Sequence, residues 1–260
     1  MLERAEFLVS PRPPAHGALV YDDEAELADA VAEFLAAGLA AGERGVVVAP
    51  REHRRLYDDH LRARGHDPEA LRAQGALVAA DAQATLDVLL DGAMPSREAF
   101  EREVNALLDA AAAPLFDRRL RVVGEMVDLL VQSGRRDAAA ALEELWRDLA
   151  RRRSFSLLCA YRLDPFDRET QARLLPAICG AHSHVLPAPD EHRFARAVDR
   201  ALEQVLGGDE AGKVYVLAAE AGGGGHVPMP QLVLMWLSAE MPATAERVLA
   251  AAREHWSAAA

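Results

Sequence analysis

The stretch 119-RLRVVGEMVDLLVQSG-134 changes character halfway along. It begins as a strand, breaks at Gly124–Glu125, and continues as a helix. Glu125 stands at the break. Many nucleotide-hydrolysing enzymes place an acid at the end of a buried central strand. A carboxylate in that position is costly unless it is paired, metal-bound or solvated in a cleft. The sequence around it decides between a nucleotide hydrolase and another use of the same architecture.

The rest of the chain repeats this strand-then-helix rhythm. "GALVY" (17–21) is a short apolar strand, followed by the helical text "DDEAELADAVAEFLAAGLAAG", with Asp22 or Asp23 as N-cap and Gly42 at its end. "GVVVAP" (45–50) is a second buried strand, and "REHRRLYDDHLRARG" a helix closing at Gly65. "GALVAAD" (75–81) is a third strand; helical text follows, breaks at "DGAMPS", and resumes from Ser96 to about Ala113. "LRVVGEM" (120–126) and "FSLLCAYR" (155–162) are the fourth and fifth strands, and "SHVLPAPD" holds a short strand and exit. Near-continuously apolar strands, each followed by a helix, specify an α/β fold: a mostly parallel central sheet flanked by helices.

Two regions fall outside that rhythm. Residues 1–13, with the Pro-rich "SPRPP", are expected to be an irregular lead. "PAPDEH" reads as a boundary, giving an α/β domain over 14–190 and a small α-rich C-terminal extension over 191–260. In that extension "HRFARAVDRALEQVLGG" is an amphipathic helix, "KVYVLAAEA" a candidate strand, and Gly222 to Gly225 a linker or turn. The last stretch reads as two short helices broken at Pro242.

Composition narrows the function. The chain has 260 residues, 51% of them apolar, which is enough for a sizeable core. Asp and Glu number 41 against 29 Lys and Arg, a net charge of −12. That balance argues against a general nucleic-acid surface and against adhesion to an anionic membrane. Lys213 is the sole lysine, a signature of GC-rich coding. The first residues lack an apolar stretch of signal-peptide length, and "QLVLMWLSA" is too short to span a bilayer. The two cysteines, Cys159 and Cys179, are then expected to be free thiols in a cytoplasmic protein.

The first strand–helix loop excludes the commonest chemistry of such folds. A nucleoside triphosphatase needs G-x-x-x-x-G-K-[ST] there, because backbone amides and a lysine neutralise phosphate. This chain has "VYDDEAEL", with a cluster of acids that repels phosphate. ATP hydrolysis through such a loop is not expected, and the absence of G-x-S-x-G leaves serine nucleophile chemistry without support. The remaining candidates are His16 before the first strand, Tyr21 at its end, Glu125, the strand pair Cys159 and Tyr161 on one face, and "CGAHSH". The last sets Cys179, His182 and His184 close together, and with Glu125 these form one candidate metal set. A structural role without metal is an equal reading of the same residues.

The segments "HGALVYDDEAELADAVAEFLAAGLAAGERGVVVAP", "RVVGEM", "FSLLCAYRLDPF" and "ICGAHSHVLP" together resemble the MEDS domain, named from methanogen and methylotroph regulators that include the dichloromethane-responsive repressor. The resemblance implies a RecA/KaiC-like P-loop fold that has lost its phosphate-binding residues, and a sensory module for small hydrocarbon derivatives. It also implies a neighbouring output: a kinase, an anti-sigma-type protein or a transcription regulator. The family's characteristic positions fall on His16, Tyr21, Gly124, Glu125, Cys159, Tyr161, His182 and His184. A RecA-like order sets the first strand between the fourth and fifth, converging Tyr21, Glu125 and Tyr161 on one crevice.

Two readings follow. The first is a non-enzymatic sensor without cofactor, in which His16, Tyr21, Glu125, Cys159, Tyr161, His182 and His184 enclose a small organic ligand and a protein partner reads the result. No kinase motif is present, and no helix-turn-helix to act on DNA directly. The second is a metalloprotein or enzyme using Glu125 with His182, His184 and a cysteine. The residues leave the oligomeric state open.

Overall fold

The computed structural model describes residues 2–112, 119–186, 190–222 and 227–258. The chain divides into two compact units, Leu2–Arg162 and Leu163–Ala260. The boundary expected at "PAPDEH" falls partly on residues outside those described. The units part instead where the fifth long strand ends, because Phe166 already packs with Phe194 and Trp256.

The first unit runs α1 (Leu2–Val9), β1 (Ala15–Tyr21), α2 (Glu24–Ala40), β2 (Arg44–Ala49), α3 (Arg51–Ala63), α4 (Pro68–Ala73), β3 (Leu77–Asp81) and α5 (Ala82–Leu89). A two-stranded turn of β4 (Leu90–Asp91) and β5 (Met94–Pro95) leads to α6 (Arg97–Ala112), β6 (Leu120–Gly124), α7 (Met126–Gln132), α8 (Arg136–Arg152) and β7 (Phe155–Arg162). Five strands of this unit pair in the order β3-β2-β6-β7-β1, every pair parallel. The α/β class and the five long strands are as the apolar runs predict. Their burial on both faces explains the runs: β2 and β6 are buried from end to end.

The order of the strands is not the one the resemblance implies. β6 pairs directly with β7, from Leu120 opposite Phe155 to Gly124 opposite Cys159. β1 lies on the other side of β7, from Ala15 opposite Ser156 to Tyr21 opposite Arg162. The first strand therefore does not separate the fourth from the fifth. Strand order is set by long-range pairing, which no local residue pattern encodes.

The helix ends follow their capping residues. Asp23 accepts from the Ala25 amide at 2.7 Å and starts α2. Gly42 and Gly65 sit just past α2 and α3 with φ of 77° and 83°, where a side chain is strained. The helix α4 is absent from the periodicity reading, yet its signal is local: Asp67 caps it at 3.0 and 3.1 Å, and Pro68 opens its first turn.

The lead is not irregular throughout, since Leu2–Val9 is helical. Its order comes from the sheet. Phe7 and Leu8 are buried, and the Phe7 ring lies so close to Gly17 that a Cβ there would sit 2.4 Å from it. Arg121, buried on β6, donates to the carbonyls of Leu8, Val9 and Phe34 at 2.7–2.8 Å and to Glu43 at 2.5 Å. A buried guanidinium needs that many acceptors.

The second unit contains a π-helical turn (Thr170–Leu174), α9 (Leu175–Ala181), β8 (His184–Leu186), α10 (Glu191–Leu206), α11 (Gly208–Ala221), α12 (Met229–Glu240) and α13 (Pro242–Ala258). Its core joins Phe166, Phe194, Val198, Leu202, Val214, Leu234, Leu237 and Val248. "KVYVLAAEA", expected as a strand, lies within α11. The buried residues there are Ala211, Val214 and Ala218, spaced by three and four, while Val216 and Leu217 are exposed. That is helical spacing; the β-branched residues alone misled. Of the Gly222 to Gly225 run, residues 223–225 lie outside those described. No helix among the described residues is long and apolar enough to cross a membrane.

Candidate functional site

The connection leaving β2 runs to β3 on one side of the sheet order, and the connection leaving β6 runs to β7 on the other. The carboxyl ends of β2 and β6 therefore form a topological switch point, where parallel sheets open a crevice. Glu125 lies there. Its amide donates to Val48 at the end of β2 at 3.0 Å, prolonging the strand pairing by one residue. Its side chain is 2% exposed.

Both Glu125 oxygens are engaged by α3, the helix that follows β2. The Tyr57 hydroxyl donates to Oε1 at 2.5 Å, and His53 Nδ1 lies 2.6 Å from Oε2. The Glu125 hydrogen bond raises the His53 pKa against the opposing effect of burial. Burial, reinforced by the Glu125 charge, raises the Tyr57 pKa well above the usual phenol value. Tyr21, at the end of β1, meets the His53 ring edge-on with centroids 6.3 Å apart. Its hydroxyl is also held protonated, first by burial and then by Glu125.

Asp128, in the first turn of α7, joins the same neighbourhood. Its Oδ1 accepts from the Arg162 amide and from Gln132 Nε2, each at 3.1 Å. Burial pushes its pKa up to about 6, despite those two donors. The outer rim carries Glu24, 4.0 Å from His53 Nε2 and 3.6 Å from the Arg162 guanidinium. The switch point thus gathers two buried carboxyl groups, an imidazole and two phenols.

Tyr161 does not join them. On β7, Tyr161 pairs with Val20, while Tyr21 pairs with Arg162. Partners in a parallel register face the same way and successive residues alternate, so Tyr21 and Tyr161 project from opposite faces. Cys159 shares its face with Tyr161, and its register partner Gly124 places the following Glu125 on the other face. The expected single crevice is therefore two sites.

On that second face, beneath α8, His16 Nε2 lies 3.3 Å from Cys159 Sγ and 3.6 Å from Glu143 Oε2. The Tyr161 hydroxyl donates to Glu143 Oε1. All four residues are buried. Burial and then the Glu143 charge push the Cys159 thiol and the Tyr161 phenol well above their ordinary values. A nitrogen, an oxygen and a sulfur ligand atom thus meet in one place.

Cys179, His182 and His184 belong to the second unit. His182 Nδ1 lies 2.8 Å from the Ile178 carbonyl, and His184 Nδ1 is 2.9 Å from Ser183 Oγ. Burial pushes the Cys179 thiol up to about 11. These three do not bring their ligand atoms within 4.8 Å of one another among the described residues, and Glu125 is already taken by Tyr57 and His53. The metal set Glu125, Cys179, His182 and His184 is not the one assembled.

His53, Tyr57, Asp128 and Glu143 are absent from the sequence candidates. A signal existed for the first two. His53, Tyr57 and Leu61 recur every four residues on a helix otherwise dense in charge, the stripe that must face the sheet. Asp128 follows Glu125 by three, one turn along α7. Glu143 looks like any acid on the charged helix "RDAAAALEELWRDLARR", and only its packing against β1 and β7 distinguishes it.

A search of curated proteins finds no match to this chain. A family model matches residues 15–176: MEDS, the methanogen/methylotroph, DcmR sensory domain. That span takes in β1, Glu125, Glu143 and β7, so both polar clusters lie within it. The chain belongs to the MEDS family of sensory domains.

Proposed function

We propose that this protein is a non-enzymatic sensor that takes a small organic, hydrocarbon-derived ligand into the crevice between β2 and β6 and passes its occupancy to a protein partner. The observation that carries this reading is the buried group of Glu125, His53, Tyr57, Tyr21 and Asp128 at the switch point of the sheet. Glu125, His53 and Asp128 hold the polar end of the ligand, and the two tyrosine rings shape the walls. The α3 helix links the site to β2, so a ligand that competes for Glu125 shifts the balance between two arrangements of α3. Phosphate chemistry is disfavoured by the loop after β1, where Asp22, Asp23 and Glu24 are exposed and Asp23 serves as a helix cap.

A panel of short-chain alcohols, amines and haloalkanes, added to the full chain and read by thermal shift and by chemical shifts of the histidine rings, tests this. Binding by one class should move the His53 resonance and be lost in Glu125→Gln. A panel in which no compound moves either readout removes the sensor reading at this crevice. A metalloprotein reading draws no support from Glu125; its support lies on the opposite face, with His16, Glu143 and Cys159.

A further inference from the structure

His16 comes from β1, Cys159 from the middle of β7 and Glu143 from α8, so no local segment explains their meeting. One ligand atom from each falls within 4.8 Å of the other two, and the separations from His16 Nε2 are 3.3 and 3.6 Å. Zinc bonds of about 2.0–2.3 Å at tetrahedral angles set neighbouring ligand atoms roughly 3.3–3.8 Å apart. The pairs centred on His16 already have that spacing.

We propose that His16, Glu143 and Cys159 bind a divalent transition metal, zinc by the chemistry of the set, with Tyr161 as a positioning residue. Imidazole and thiolate select zinc over magnesium or calcium, which prefer all-oxygen shells. Charge balances: one thiolate and one carboxylate neutralise a divalent cation, with a neutral histidine completing three ligands. On binding, the thiol proton leaves to solvent and the sulfur is held as thiolate. The site is shielded from bulk solvent, with the three residues 1–6% exposed. The Tyr161 hydroxyl occupies Glu143 Oε1 and turns Oε2 toward His16 and Cys159, the role that outer partners play around metal ligands. Three ligands leave a position for a further donor atom. The metal site stands whether or not the strand tips take a ligand.

The test is cobalt and zinc titration of the full chain after chelator treatment and dialysis. One equivalent of cobalt should bind, with intense thiolate-to-cobalt absorption and the visible bands of a tetrahedral ion, displaced by zinc. The thiolate band should vanish in Cys159→Ser and persist in Cys179→Ser. Tyr161→Phe should weaken binding by about 10- to 100-fold, while leaving the band in place at saturation. Far-UV circular dichroism establishes that each variant folds. Zinc K-edge absorption of the loaded, unaltered protein decides the matter even where a variant does not fold: one sulfur with nitrogen and oxygen neighbours is expected. Absence of stoichiometric binding, a zinc shell without sulfur, or a thiolate band unchanged in folded Cys159→Ser overturns the proposal.

Discussion

Glu125 and Glu143 occupy opposite faces of one sheet in nearly the same company. Each accepts a hydrogen bond from a tyrosine hydroxyl, Tyr57 or Tyr161, and each has a histidine beside it, His53 or His16. What differs is the setting. Glu125 sits at the carboxyl end of β6, where His53 keeps 13% of its side chain exposed and Glu24 and Arg162 form a rim open to solvent. Glu143 is pressed against the start of β1 and against β7, with Cys159 as its third neighbour and a histidine side chain only 8% exposed. Both carboxylates are buried, so what differs is how far solvent reaches the histidine beside each.

The largest difference between the clusters should appear when each imidazole is removed. In metal-free protein, His16→Ala leaves a cavity beside a buried carboxylate and should cost roughly 3–5 kcal/mol. His53→Ala removes one partner of a buried carboxylate that keeps its Tyr57 hydrogen bond, and water can enter beside it because the imidazole is 13% exposed; it should cost about 2 kcal/mol. Urea unfolding at neutral pH measures both. Equal costs would break the distinction drawn between rim and interior.

Next in size is the pH dependence at the rim. Burial lifts Asp128 to about 6 in the folded protein, from an unfolded value near 4. The folded state therefore binds this proton more tightly. The stability it contributes is full below about pH 4 and is lost as the pH rises through about 6, a change on the order of 3 kcal/mol. Asp128→Asn keeps the acceptor oxygen for Arg162 and Gln132 and removes the titration. It should stabilise the protein near neutral pH and make little difference near pH 4. The raised His53 pKa acts with the same sign, its contribution being lost as the pH rises through its folded value. Unfolding free energies of Asp128→Asn that parallel the unaltered protein across this range would show that Asp128 is not desolvated.

The smallest effect sharpens the comparison from the other partner. Tyr57→Phe and Tyr161→Phe each remove one hydroxyl donor from a buried carboxylate and should each cost about 1–2 kcal/mol. Their consequences should then separate. Tyr57→Phe alters ligand response without touching metal affinity, and Tyr161→Phe does the reverse. Calorimetry with ligand and with zinc on both variants distinguishes them.

Much of this was legible in the residues. The five long strands, the helices that cover them, the caps at Asp23 and Ser96, and Glu125 as a buried strand-end acid all follow from local pattern. The acids of "VYDDEAEL" excluded a phosphate loop without any structure. His53 and Tyr57 were within reach of the same method through their spacing on α3. Glu143 was not, because a helix of mixed charge does not announce which acid faces inward. α11 was missed because Val214 and Val216 suggest a strand, and the tertiary burial of Ala211, Val214 and Ala218 overrides that preference.

The sequence by itself determined the class of fold, the position of the acid and the lack of a phosphate-loop motif after the first strand. These depend on apolar period, capping residues and motif spacing, which act over a few residues. Only the tertiary structure decided that β6 pairs with β7 and β1 lies beyond it. With that one choice of neighbours came the faces that Tyr21 and Tyr161 look onto. Side chains alternate along a strand, so a site is assigned to a face by register. Register is fixed by pairing between segments more than a hundred residues apart, as His16 and Cys159 are.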